Sequence, residues 1–199
     1  MACKDWHNLP AVPTKQRGSH QNPPDLNPCN YKVVRFFEHV NKDGKVMWNF
    51  FPDQCRHCLT PICKDVADMA VPGAIIQDIS SGAVLFTEKC KELTPKDAQA
   101  VIVSCPYNIP RYDPKTGMLS KCDMCFDRVI EGLEPMCVKS CPTGTMLFGE
   151  REEIMAEAKK RLEKIKKTFP DAYIADPKDV NVLFILAEDK EFYYDYASF

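Results

Sequence analysis

Eleven cysteines among 199 residues, and the way they are spaced, are where this sequence can do chemistry. Cys55-x2-Cys58-x4-Cys63, Cys105-Pro106, Cys122-x2-Cys125 and Cys137-x3-Cys141-Pro142 form two groups. A thiolate holds each iron of a cubane, so one [4Fe–4S] cluster needs four cysteines: three from a tight loop and a fourth from elsewhere in the chain, often followed by proline. A Cys-Pro ending occurs twice, at Cys105-Pro106 and Cys141-Pro142. The pattern points to iron–sulfur ligation, and so to a chain that carries electrons.

Two other chemistries compete for these thiols. Extracellular disulfides fit poorly, because the count is odd and a C-x2-C pair rarely staples a fold. Structural zinc is the stronger rival, since Cys55/Cys58 and Cys122/Cys125 look like zinc knuckles. The nearby third cysteine, Cys63, and the two Cys-Pro endings argue for iron. Cys29 and Cys90 have no partner at cluster spacing and read as ordinary thiols. His57 lies inside a cysteine loop, where histidine can replace a thiolate; with cysteines sufficient, it is expected to hydrogen-bond or face solvent. His7, His20 and His39 are isolated. Lys121, Arg128 and Lys139 flank the cysteines, where positive charge would favour a reduced cluster; the bland reading is a solvated side chain. No Gly-rich phosphate loop, Ser-His-Asp set or H-E-x-x-H occurs, so catalysis by this chain alone is not expected.

Holding such groups requires short elements around each loop. Sixteen prolines and eight glycines imply a loop-rich fold, and the polar, proline-rich first thirty residues suit an extended surface strap. Lys32–Phe37 and Val46–Phe51 read as strands, with Asn41-Lys42-Asp43-Gly44 as their turn. The first cysteine loop follows, then a helix over Pro61–Met69. A second hairpin is expected at Ala74–Ile79 and Ala83–Phe86, and a helix from Pro95 to Ser104. After a turn at Asp113–Gly117, Cys122–Glu131 reads as a short helix closed by Gly132, and Thr145–Phe148 as a strand. Ile154, Ala158, Leu162, Ile165 and Phe169 recur at helical spacing, predicting an amphipathic helix of some five turns that packs on its own domain. Val182–Ala187 is a buried strand candidate. The tail Glu191–Tyr196 is either a docking tail or a packed edge.

Net charge is −2, so nothing suggests a nucleic-acid surface. Val182–Ala187 is far too short to span a bilayer, and no transmembrane segment is expected in this chain. Met1–Trp6 lacks the apolar stretch of a secretion signal, which taken alone points to the cytoplasm.

The chain resembles the multi-cluster ferredoxin-like subunits that accompany molybdopterin oxidoreductases of the dimethyl sulfoxide reductase superfamily. Within them it is similar to the small (beta) subunits of soluble tungsten- or molybdenum-containing formate dehydrogenases from sulfate-reducing bacteria. The matching segments are Gly18–Leu26, Phe51–Cys58, Lys121–Cys125 and Ser140–Gly144. The resemblance implies an α+β, pseudo-duplicated, bacterial ferredoxin-like cluster region over residues 1–149, with one lobe of 1–31 plus 104–149 and another of 32–103. Residues 150–199 would be a C-terminal amphipathic helix and tail.

The motifs of such subunits pair inside out. On that scheme Cys55, Cys58, Cys63 and Cys105 hold one cluster, and Cys122, Cys125 and Cys137 hold a second with Cys3 as the returning ligand. Ala67 stands where a further returning cysteine belongs, and Cys90 is the one cysteine left of another set, so the cluster those two would serve is expected to be absent. Cys141 would belong to a third cluster whose other ligands lie upstream, with Met1 an internal methionine. Two clusters correspond to about eight irons and three to about twelve.

The implied role is a non-catalytic electron-transfer subunit. Its partners would be a large catalytic subunit bearing a bis-pterin-guanine-dinucleotide tungsten or molybdenum centre and an external acceptor such as multihaem cytochrome c. Location would be periplasmic by co-export with the large subunit. The alternatives are the same wire in a polysulfide, thiosulfate or dimethyl sulfoxide reductase, and a zinc-stabilised structural protein.

Overall fold

The computed structural model describes residues 1–199. The chain opens with α1 (Ala2–Trp6) and then runs to Lys32 without a further helix or named strand. This is the expected strap, and side chains tie it down. Asp25 accepts from Arg35 (2.6 Å) and Arg111 (2.7 Å), and Gln21 Oε1 accepts from the Phe36 N–H (3.1 Å).

β1 (Val33–Val40) and β2 (Val46–Asp53) pair antiparallel, Val33 opposite Asp53 and Val40 opposite Val46. Successive side chains alternate faces. Val33, Arg35, Asn49, Phe51 and Asp53 are buried, while Val34, Trp48 and Phe50 stay exposed. The turn is built as its sequence predicts: Asn41 Oδ1 accepts from the N–H groups of Asp43 (3.0 Å) and Lys45 (2.9 Å).

α2 (Ile62–Asp68) follows the first cysteine loop. The second hairpin is β3 (Ile75–Gln77) with β4 (Val84–Phe86), shorter than expected. Gly82 at its turn has φ +72°, and a Cβ there would lie 2.5 Å from Asn181 Nδ2. Only glycine admits both the left-handed backbone and that approach. α3 (Pro95–Ser104) starts as its sequence predicts: Thr94 Oγ1 accepts from the Asp97 N–H (3.3 Å) and Pro95 occupies the first turn.

From here several expectations are corrected. The turn Asp113–Gly117 joins a further hairpin, β5 (Arg111–Asp113) and β6 (Met118–Ser120), whose strands are too short to show alternation. The helix expected over Cys122–Glu131 shrinks to α4 (Phe126–Val129), because Met124 (φ +68°) and Cys125 (φ +51°) are left-handed and cannot lie in a helix. α5 (Met136–Lys139) carries Cys137. No strand forms at Thr145–Phe148; Arg161 takes the carbonyls of Gly144 and Thr145 (3.2 Å each), giving that backbone a side-chain partner in place of a ladder.

α6 (Arg151–Ile165) has 15 residues, about four turns rather than five, and Phe169 lies beyond its end. Only its Ala158 is fully buried, and it packs on β7 (Tyr173–Ala175). The strand expected at Val182–Ala187 is β8 (Phe184–Leu186), paired with β7 and fully buried only at Leu186. The aromatic tail is packed down: the Phe192 ring stacks on His39 at 4.3 Å, and Tyr194 lies 3.5 Å below the Arg35 guanidinium. No helix is long and apolar enough to cross a membrane.

Three apolar clusters hold these pieces. The largest joins α2, α3, the β3/β4 hairpin and Leu119 of β6, and contains Ala67 and Cys90 with neither exposed. Cys90 Sγ donates to the Ala74 carbonyl (3.1 Å) there. The second gathers Leu26, Val33, Cys55, Tyr107, Ile109 and Val180; the third gathers Phe51, Ala175, Leu186 and Ala197.

Candidate metal centre

β2 delivers the chain into the first cysteine loop, where His57 takes φ +47°. That left-handed step turns the His57 N–H back onto Cys55 Sγ (3.4 Å). The loop is pinned from the C-terminal segment: Leu59 N–H donates to the Asp179 carbonyl (2.8 Å) and Val182 N–H to the Arg56 carbonyl (2.9 Å). α2 then supplies Cys63, and the end of α3 supplies Cys105. Cys55, Cys58, Cys63 and Cys105 line one small cavity, walled also by Arg56, Val84, Tyr107, Ile109 and Lys121.

The second loop repeats the local geometry. Met124, like His57 the residue before the second cysteine, is left-handed, and its N–H meets Cys122 Sγ at 3.4 Å. Asp123 Oδ1 accepts the Cys125 N–H (2.8 Å). α5 brings Cys137, and α1, packed against α5, brings Cys3. α1 is itself held by Lys4, which donates to the Cys29 carbonyl (3.0 Å) and Asn30 Oδ1 (3.2 Å). Trp6 Nε1 donates to Asp127 (3.0 Å), and the Arg128 guanidinium sits 4.4 Å over the Trp6 ring. Cys122 lies between the two groups, packed against the core that contains Cys55.

The thiols carry the electrostatic signature of crowding. Burial pushes Cys58 up to about 12, with the Cys55 and Cys105 thiols adding to it. Burial and Cys55 likewise take Cys63 to about 12 against the pull of the Lys121 ammonium. Cys3 also reaches about 12, from burial and then from Cys125 and Cys137. Cys125 reaches about 11, raised by burial and by Asp123 and Cys137 against the Met136 N–H. Cys105 and Cys122 are raised as well, burial leading in both. Such thiols resist ionising alone and become thiolates when a cation shares the site. All eleven cysteines are free. Two groups of soft sulfur donors, one around a cavity, fit iron–sulfur clusters.

Cys141 stands apart. It follows α5 on the surface, its thiol 3.4 Å from Thr143 Oγ1; that contact and the Met146 N–H bring it down to about 7.

Sequence reasoning missed three things. His57 makes a hydrogen bond, as expected, its Nδ1 accepting the Val84 N–H (3.0 Å), but its complete burial was missed; burial, then the Lys121 charge, hold its ring neutral. His7 is not isolated, since its Nε2 lies 3.3 Å from Asp123 and 3.5 Å from Cys125 Sγ. Lys121 is not solvated but buried, as is Arg128, while Lys139 is exposed. Each depends on a contact between segments far apart in sequence. The exception is the Lys121–Cys122 adjacency, which was visible without its burial.

Comparison with known proteins bears on what such thiols hold. Residues 46–151 match the 4Fe-4S dicluster domain family. Formate dehydrogenase 2 subunit beta (cytochrome c-553) of Nitratidesulfovibrio vulgaris is 65% identical over 199 residues, 100% of this chain and 91% of that protein. Formate dehydrogenase subunit beta of Megalodesulfovibrio gigas is 50% identical over 197 residues, 99% and 90% of the two chains. The formate dehydrogenase-O iron-sulfur subunit of Escherichia coli is 35% identical over 191 residues, 94% of this chain and 61% of that protein. With its free, gathered thiols and full-length likeness, this chain belongs to the [4Fe–4S] iron–sulfur (beta) subunits of formate dehydrogenases.

Proposed function

We propose that this chain is the electron-transfer subunit of a formate dehydrogenase complex, relaying single electrons between a large catalytic subunit and an external acceptor such as a cytochrome c. Oxidation of formate belongs to the catalytic partner; this chain holds the relay. The observation that carries the reading is the cavity lined by Cys55, Cys58, Cys63 and Cys105.

Those four would hold one [4Fe–4S] cluster, and Cys3, Cys122, Cys125 and Cys137 a second. Cys141 is assigned to a third set completed by cysteines from outside these groups. When bound, such a cluster accepts and returns one electron. The chain's own residues do the rest. Tyr107, Ile109 and Val84 wall the first site with buried side chains. The His57 and Met124 N–H groups point at the Cys55 and Cys122 sulfurs, where they would tune a bound cluster's potential by hydrogen bonding.

The repeated left-handed step before Cys58 and Cys125 supports a pseudo-duplicated region over 1–149, with 150–199 as an extension bearing α6. The partner's centre is proposed to be a bis-pterin-guanine-dinucleotide tungsten or molybdenum site. The acceptor is proposed to be a multihaem cytochrome c, and the location the periplasm, reached by co-export with the large subunit.

The test is to purify the complex anaerobically, add formate alone and follow the absorbance near 400 nm. Prompt bleaching is expected. A brown protein that dithionite bleaches but formate does not would keep the relay and reject the formate partner. Zinc without iron would reject both.

A further inference from the structure

Lys121 immediately precedes Cys122, is only 7% exposed, and forms part of the wall around Cys55, Cys58, Cys63 and Cys105. Its ammonium donates to the carbonyls of Val84 and Cys122 and lies 4.8 Å from the centre of the Phe86 ring. No carboxylate is within ion-pair distance of it. Arg56, the other cation in the same wall, has a carboxylate partner in Asp53 at 2.8 Å, which it shares with Arg35. A buried charge is tolerated only when something offsets it. Neutral carbonyls and a ring face orient this ammonium without cancelling its charge, and the anions that share its cavity are the four thiolates.

The second group is the opposite case. There Asp123 accepts the Cys125 N–H at 2.8 Å and stands 3.3 Å from His7, so the charge built into that loop is a carboxylate. The wall of the first site therefore holds an ammonium with no carboxylate partner and the second loop a carboxylate, on residues close in sequence. The ammonium also bonds the Cys122 carbonyl (2.9 Å), so the second set is not wholly outside its field.

We infer that Lys121 is the built-in counter-charge of the cluster held by Cys55, Cys58, Cys63 and Cys105, and that it makes this cluster the more easily reduced of the two. The inference rests on the ligand sets given under the proposed function. Reduction adds one electron, supplied by formate oxidation in the catalytic partner, and breaks no bond. The added negative charge is what the ammonium stabilises. The carbonyl anchors hold the ammonium in place, so its effect does not depend on a mobile side chain.

The experiment is an EPR-monitored redox titration of the purified complex, wild type against Lys121→Met and Lys121→Arg, with iron counted in each. The signal of the first group is the one lost in Cys63→Ala. In Lys121→Met its one-electron reduction equilibrium is expected to fall at least tenfold, about 59 mV, while the other signal moves less. Lys121→Arg is expected to load iron and stay close to wild type. Full iron with an unmoved potential in Lys121→Met overturns the inference, as does an equal shift of both signals. If Lys121→Met fails to load iron, Lys121→Arg decides: a wild-type potential supports the charge, and a lowered potential or lost iron overturns it. A wild-type complex without reducible iron would instead reject the ligand sets themselves.

Discussion

The two cysteine groups share one loop and differ in what frames it. In each, the residue before the second cysteine is left-handed and a backbone N–H turns onto the first sulfur. Around the first, the frame is the eight-residue β2, the ten-residue α3, a hairpin and a strip of C-terminal backbone. Around the second, Cys3 rides on a five-residue helix and Cys137 on a four-residue one. Helices that short have little stability of their own, so side chains such as Lys4, Trp6 and Arg128 must hold them. The same ligating geometry can thus stand on a core in one place and on surface anchors in another. The second site is expected to open locally more readily than the first.

Removing one thiol from each group puts the largest load on that contrast. In Cys63→Ala the complex is expected to lose about four of its irons together with thermal stability, because the first cavity lies between two apolar clusters. In Cys3→Ala a similar amount of iron should be lost or become labile to chelators, with a much smaller fall in unfolding temperature. Iron analysis paired with calorimetry decides; equal destabilisation by both changes would break the contrast.

A smaller effect is expected at Asp53, whose partner Arg56 stands in the wall of the first site. Its carboxylate is fully buried and accepts from Arg35 Nε and from Arg56, both at 2.8 Å. Asp53→Ala leaves Arg56 without a carboxylate partner in the wall of the cavity. Breaking a buried pair of this kind costs about 3–5 kcal/mol, readable in a denaturant titration. Iron at the first site should become exchangeable while the second keeps its metal.

The sequence carried the donors and the elements next to them; it did not carry the cross-chain framing. The β1/β2 hairpin, α2 and α3 could be read because turn chemistry, a proline at a first turn and alternation are local signals. Ala67 and Cys90 were read as remnants of one cluster, and the structure buries both in one packed core. The strand at Thr145–Phe148, expected as the one that pairs back in ferredoxin-like folds, does not form; Arg161 takes the Gly144 and Thr145 carbonyls instead. The helix through Cys125 failed because the loop's left-handed steps fall on Met124 and Cys125, residues with no left-handed preference in sequence. The burial of Lys121 could not be read at all, since its carbonyl partner Val84 is 37 positions away.

The smallest expected effect concerns the strap that joins the two regions. Asp25 is half exposed; burial pushes its carboxyl up, but hydrogen bonds from Arg35 and Arg111 outweigh that and hold it below its ordinary 3.8. The unfolded chain therefore binds this proton more readily than the folded one. The stabilisation is complete above 3.8 and is lost as pH falls through the lower folded value. Solvent access keeps it modest. Wild type and Asp25→Asn, unfolded in urea between about pH 6 and about pH 3, are expected to differ at the upper end, with the gap narrowing toward the lower. Because the strap leads back to α1, the Asp25→Asn complex should also release second-site iron faster near neutral pH. A gap that stays constant across the range would mean the two arginines hold the strap without needing the charge on Asp25.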